Sequence, residues 1–95
     1  MREYELVVVI DPELEEEELT AALEKIRQSV SNRGGEVSNV DRWGRRKLAY
    51  PIKSRTEGNY VINHIRLEPS QTAELESSLR LSEEVLRHLL IRSEE

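Results

Sequence analysis

The segment that most constrains the fold is the run of residues 2–10, which is apolar on both sides of an extended chain. Its apolar side chains alternate between two faces, with Leu6, Val8 and Ile10 on one and Val7 and Val9 on the other. β-Branched residues favour strands, and two apolar faces indicate a strand in the interior of a sheet. The following Asp11-Pro12 ends this strand, because proline has no amide hydrogen for a sheet ladder. Residues 2–10 therefore predict an interior strand.

The rest of the chain predicts two helices and three further strands. Residues 15–30 carry apolar side chains three or four positions apart behind a run of glutamates, which is typical of an amphipathic helix with carboxylates at the positive end of its dipole. Gly34-Gly35 ends that helix. Residues 36–53 predict a long extended segment, residues 54–58 a hairpin connection, and residues 60–67 the returning strand. Pro69-Ser70 offers an N-cap for a short second helix, and residues 85–92 predict a last strand.

The element order βαββαβ predicts the fold class. Two βαβ halves joined by a hairpin give an α+β, ferredoxin-like fold, with a four-stranded antiparallel sheet and two helices on one face. A chain of 95 residues is the size of one small domain, so we expect a single domain over residues 1–95. Its core must come from leucine, valine and isoleucine, because the chain has no phenylalanine.

The composition excludes several classes of function. The chain has no cysteine, which removes disulfides, zinc–thiolate sites and thiol catalysis. His64 and His88 fall on different strands without the spacing of a metal site, and no catalytic triad, phosphate loop or catalytic carboxylate pair is visible. The longest apolar run, Leu6–Ile10, is far too short to span a bilayer. We therefore expect a cytoplasmic protein with no membrane contact, that is not an enzyme and takes no cofactor, metal or small-molecule substrate.

The basic segment of residues 42–55 predicts a polyanionic partner. It contains six cations and no carboxylate, although the whole chain has a net charge of −5. Guanidinium groups match phosphate oxygens, and a surface that concentrates cations is typical of nucleic-acid binding. Along a strand Arg45 and Lys47 would project on one side and Arg46 on the other. The alternative is a solvated edge strand whose cations discourage pairing with other strands.

The sheet face without helices predicts a second, apolar surface. Strand alternation turns apolar side chains toward that face, namely Val7, Val9, Tyr60, Ile62, Leu89 and Ile91. A contiguous patch of this kind is typical of a protein–protein site, whereas scattered β-formers on an exposed face are the alternative. Bases are not expected to stack across the sheet, because Tyr60 is one platform and not a pair.

Three stretches of the sequence resemble one known family. They are residues 44–53 (GRRKLAYPIK) with Gly58-Asn59-Tyr60, the opening residues 2–5 with 11–14, and the closing residues 79–87. Together they are similar to the bacterial small-subunit ribosomal protein six family over nearly the whole chain. The resemblance implies a ferredoxin-like fold, no catalytic activity, and a place in the central domain of the small subunit. It also implies a heterodimer with ribosomal protein eighteen, the pair binding small-subunit (16S) ribosomal RNA cooperatively.

Charge, strand parity and the resemblance together predict two sets of site residues. The RNA-binding set is Arg2, Arg45, Arg46, Lys47, Lys53, Arg55 and Arg87. The set facing the protein partner, through the open sheet face and edge, is Tyr4, Tyr50, Tyr60, Ile62, His64, Leu89 and Ile91. Residues 61–64 depart from the family, whose members often have aromatics there. A ferredoxin-like domain that binds an anionic metabolite and one that binds DNA remain the alternatives.

Overall fold

The computed structural model describes residues 1–93, so the last two residues of the expected 1–95 domain lie outside the described part. The elements follow the predicted βαββαβ order, with one short 3₁₀ turn added before the second helix. They are β1 (Arg2–Ile10), α1 (Glu16–Asn32), β2 (Glu36–Ile52), β3 (Arg55–Leu67), the 3₁₀ turn (Pro69–Gln71), α2 (Thr72–Arg80) and β4 (Val85–Arg92).

The four strands form one antiparallel sheet in the order β2-β3-β1-β4. β1 lies between β3 and β4, which confirms the prediction of an interior strand. Its register pairs Leu6 with Asn63 on one side and with Leu90 on the other. On each face of the sheet, the side chains of β1 therefore lie between side chains of β3 and β4.

The core lies between one face of this sheet and the two helices. β1 contributes Leu6, Val8 and Ile10, each with no exposed surface. The helices bury their apolar stripes against these residues, namely Leu19, Ala22, Ile26 and Val30 of α1 and Leu75 and Leu79 of α2. As the composition requires, the large side chains that fill this layer are almost all aliphatic. Within residues 1–93 no helix has the length and apolar content needed to cross a membrane.

The hairpin between β2 and β3 is tighter than the sequence predicts. The expected connection at residues 54–58 is wrong: the turn is Lys53-Ser54, and β3 already begins at Arg55. Both turn residues have positive φ, 51° and 68°, as a two-residue hairpin turn of the commonest kind requires. Lysine and serine are not typical of such a turn, whereas glycine is, so Gly58 misleadingly suggests a turn at residues 54–58. Gly58 is a strand residue, and a Cβ there would lie 2.3 Å from Val9 Cγ1.

The second helix begins later than predicted. Pro69-Ser70 forms a 3₁₀ turn and does not cap α2, which starts at Thr72. The hydroxyl Oγ1 of Thr72 donates to the Pro69 carbonyl at 2.9 Å and so closes this turn. Proline suits the start of the turn because its fixed φ is already helical.

Candidate nucleic-acid and protein interface

The β2–β3 hairpin extends beyond the rest of the sheet. Pairing of β1 with β3 ends where Ile10 meets Asn59, whereas β2 and β3 continue through the Lys47–Glu57 and Ile52–Arg55 pairs. Residues 47–57 therefore form a two-stranded projection, which we call the hairpin arm. An isolated pair of strands is marginally stable in water, so the position of the arm depends on what holds its base.

The base of the arm is tied to the loop that follows β1. Arg55 Nε lies 3.1 Å from Asp11 Oδ1, and Arg55 Nη2 lies 3.2 Å from Glu13 Oε1. Arg45 Nη2 donates to the Pro12 carbonyl at 2.7 Å and Nη1 lies 3.5 Å from Glu57 Oε1. Partial burial opposes ionisation of Asp11, but the Glu13 amide and the Arg55 guanidinium outweigh it and hold the Asp11 pKa below its ordinary value.

A third cation of the basic segment is also engaged within the protein. Arg42 donates two hydrogen bonds to the Glu16 carboxylate, at 2.8 and 3.0 Å, at the start of α1. The hydrogen bond from Arg42 is the main reason that the pKa of Glu16 lies below its ordinary value. The segment has no carboxylate of its own, but the fold brings acids from the β1–α1 loop, α1 and β3 against Arg42, Arg45 and Arg55.

The other three cations of the segment stand exposed. Within residues 1–93 no carboxylate lies at ion-pair distance from Arg46, Lys47 or Lys53. Arg45 and Lys47 project on one side of β2 and Arg46 on the other, as the sequence predicts; the register gives Arg45 and Lys47 the parity of the helix side and Arg46, opposite Gly58, that of the open face. The structure therefore divides the six cations into three that are held and three that are available to an anion.

Trp43 is the functional candidate that the predicted site residues leave out. The register between β2 and β3 shifts from Arg42–Val61 to Gly44–Tyr60, so Trp43 is the extra residue of a bulge. Gly44 has φ +86°, and a Cβ there would meet nothing within 4 Å, so conformation and not space requires glycine. The indole remains 53% exposed, and the Arg46 guanidinium lies 5.3 Å from its centroid. A lone tryptophan before glycine in a basic run is the signal that could have found it.

The open face carries the apolar patch that alternation predicts. Val7 of β1 pairs with Ile62 of β3 and with Leu89 of β4, so the three side chains lie abreast across the sheet. Leu89 and Ile91 are 48% and 43% exposed, while Tyr60 and Ile62 are half-buried. A shallow cavity of about 130 Å³ opens within the patch, lined by Val7, Val9, Tyr60, Arg87, His88 and Leu89. This face suits an apolar partner.

Three predicted site residues do not join these surfaces. Tyr4 is only 6% exposed and belongs to the core, because it has the parity of Leu6 and faces the helices; its assignment to the protein partner is wrong. Arg2 shares that parity and lies at the far end of β1, about 23 Å along the strand from Val9, the pairing partner of Arg87. Arg2 is thus remote from the other predicted RNA contacts. Tyr50 is 57% exposed on the hairpin arm, away from the patch.

Both histidines are paired with single carboxylates. His64 Nε2 lies 3.2 Å from Asp41 Oδ2 on the open face, where the sequence predicts it. His88 turns to the helix side, where its Nε2 lies 2.9 Å from Glu76 Oε1 of α2. In the described part of the chain no group of three or more His, Cys, Asp and Glu side chains could hold a metal ion.

The sequence and the structure are both similar to known proteins. Residues 3–92 match the family model described as ribosomal protein S6. The small ribosomal subunit protein bS6 of Desulforamulus reducens is 42% identical over 95 residues, covering all of both chains. That of Micrococcus luteus is 47% identical over 95 residues, which are all of this chain and 94% of the relative. The crystal structure of 30S ribosomal protein S6 from Thermotoga maritima superposes with a TM-score of 0.89 at 33% identity, covering 97% of this chain and 87% of that one.

Proposed function

This chain belongs to the ribosomal protein S6 family, and from that premise we propose that it binds small-subunit ribosomal RNA cooperatively with ribosomal protein eighteen. The family is a structural one of the small ribosomal subunit and not an enzyme family, so the chain partners with ribosomal RNA and other ribosomal proteins. What the proposal adds is the identity of the protein partner and the residues that make each contact.

The observation that carries the RNA half of the proposal is the trio of exposed cations on one hairpin. Arg46, Lys47 and Lys53 have no carboxylate at ion-pair distance within residues 1–93, and the charge of Lys53 acts on Asp11 only at longer range. Neutralising phosphates releases condensed counterions and gives salt-sensitive affinity. Because the arm projects past β1, Lys47 and Lys53 can reach a phosphate track that the body of the sheet does not touch, and Arg46 lies next to the base of the arm.

The protein half of the proposal rests on the apolar patch of the open face. Leu89 and Ile91 are about half exposed beside Val7 and Ile62. Covering an apolar patch of this kind with a partner lowers the free energy of the complex. We assign this patch, which includes Tyr60, to ribosomal protein eighteen, and His64 to its border.

The charge balance supports the proposed cooperativity. The chain has a net charge of −5, and a protein that holds RNA alone is ordinarily basic. A few phosphate contacts beside a large protein contact fit an acidic chain better. We therefore expect weak RNA binding by the isolated chain and tight binding by the pair.

A salt titration with matched charge variants tests the proposal. The chain is titrated against a central-domain fragment of small-subunit ribosomal RNA, with and without ribosomal protein eighteen. Replacing Arg46, Lys47 and Lys53 by alanine should weaken binding of the pair and reduce the slope of log K against log salt by about 2–3 units. The control replaces three exposed cations of the helices, Lys25, Arg27 and Arg80, by alanine.

The control changes net charge by the same amount, so it separates local contact from the overall field. An equal loss of slope in both variants would contradict a specific contact on the arm. Binding that is equally tight without ribosomal protein eighteen would contradict the cooperative mechanism.

A further inference from the structure

The exposed indole of Trp43 stands in an unusual position for the sole tryptophan of a small domain. About half of its surface is exposed to water, although burying a large aromatic side chain would stabilise the folded state. The core instead uses Leu, Val and Ile, so the fold does not depend on this ring. The exposed part of the ring is therefore available to a ligand.

The local backbone is arranged to present this ring. A bulge re-aims a side chain at a sheet edge, and β2 is an edge strand. Gly44, at φ +86°, provides the left-handed residue that follows Trp43 in the bulge. Ordinary alternation would send every second side chain to the helix side, and the extra residue interrupts that pattern at Trp43.

The surroundings of the ring select an anionic, aromatic ligand. The Arg46 guanidinium lies 5.3 Å from the ring centroid, which is within the range of a cation–π contact, and it has no carboxylate partner among residues 1–93. The neighbouring Lys47 is exposed and likewise available. An aromatic face beside free cations is the combination with which proteins hold unpaired nucleotides, the ring stacking on the base and the cations meeting the phosphates.

We propose that Trp43 is a stacking site for one unpaired nucleobase of the RNA, with Arg46 bracing the ring and contacting the adjoining phosphate. The inference rests on the proposed function and deepens it, because it adds base contact to phosphate contact. RNA is favoured over the protein partner because Trp43 lies on the outermost strand among cations. The apolar patch is centred on β1, β3 and β4.

Replacement of Trp43 tests the site through affinity and salt dependence together. W43L should weaken binding of the RNA fragment by the pair about 5-fold to 150-fold, the range for loss of one stacked base. W43F should retain part of the affinity, because a smaller aromatic ring still stacks. Both variants should keep the salt slope of the unchanged chain, since no phosphate contact is removed. Because the ring is half exposed, both should also keep the unfolding midpoint.

Tryptophan fluorescence provides an independent readout, since Trp43 is the only tryptophan of the chain. With the W43L complex as blank, RNA should quench the emission, whereas inorganic polyphosphate at the same charge concentration should not. Equal quenching by polyphosphate, or unchanged affinity of W43L, would overturn the stacking site while leaving salt-sensitive RNA binding intact. Quenching by ribosomal protein eighteen alone would assign the ring to the protein contact instead. Absence of any RNA binding by the unchanged pair would overturn the proposed function and this inference together.

Discussion

Arg45 and Arg46 are neighbours in sequence, but alternation along β2 directs them to opposite faces of the sheet. Arg45 meets the Pro12 carbonyl and Glu57, whereas Arg46 lies over the ring of Trp43. The charge pattern of the sequence cannot separate them, because the groups that hold Arg45 come from other elements. At this scale the role of a cation is decided by its neighbours in space.

Gly44 permits a prediction at the scale of one residue. Its φ of +86° is costly for a side chain that carries a Cβ, although the space around it is open. G44A should therefore lower the free energy of unfolding by about 1–2 kcal/mol. G44N should lower it less, because asparagine tolerates the left-handed region better. Urea denaturation measures both, and equal stability of G44A and the unchanged chain would contradict a strained position.

At the scale of elements, the periodicity of the sequence predicts nearly the whole fold. Strand and helix patterns gave the βαββαβ order, and β4 spans the predicted residues 85–92. The failures lie where tertiary contact outweighs local preference. Lys53-Ser54 adopts a turn that its residue types do not favour, Gly58 is required by close approach to Val9, and Tyr4 fills the core. Arg45 and Arg55 were predicted to contact RNA and are held by groups of other elements, because ion pairs between distant elements leave no sequence signal.

The tie between the arm and the β1–α1 loop predicts a pH dependence. The pKa of Asp11 lies below its ordinary value of 3.8, so ionised Asp11 stabilises the folded state above that pH. This contribution is lost as the pH falls through the lowered pKa. D11N should therefore be less stable than the unchanged chain near neutral pH, and the difference should shrink below about pH 4.

Denaturation of both chains between pH 7 and pH 2.5 checks this dependence. E83Q is the matched control, because Glu83 is exposed, lies outside both helices and makes no ion pair within residues 1–93. A gap between D11N and the unchanged chain that is constant with pH would show that Asp11 acts by its shape and not by its charge. Faster amide exchange on the hairpin arm of D11N would report loosening of the tie itself.

At the scale of the whole molecule, the two surfaces are separate enough to be disrupted one at a time. The exposed cations lie on β2 and the arm, and the most exposed apolar residues of the patch lie on β4 at the other edge of the sheet. The negative net charge resides elsewhere, much of it on the first turn of α1 and in the loop before it. Partner binding and RNA binding should thus respond to different substitutions.

L89D should abolish or strongly weaken the proposed heterodimer with ribosomal protein eighteen, because it places a charge in the apolar patch. Leu89 is 48% exposed, so the variant should fold. The control is L81D, which adds the same charge at a leucine that is 84% exposed after α2. Analytical ultracentrifugation of each variant with the partner measures the outcome. Equal affinity of L89D and L81D would move the interface off the open face.

The sheet order has a consequence for the time course of synthesis. β1 is synthesised before the other described elements, yet one of its two neighbours is β4, which is synthesised after all of them. Until β4 emerges, β1 has an unpaired edge and the buried face of the sheet is incomplete. Leu89 and Ile91 belong to β4, so a nascent chain without β4 lacks the two most exposed residues of the apolar patch. If the patch binds a partner as proposed, that contact needs β4 and should form only after β4 has paired with β1.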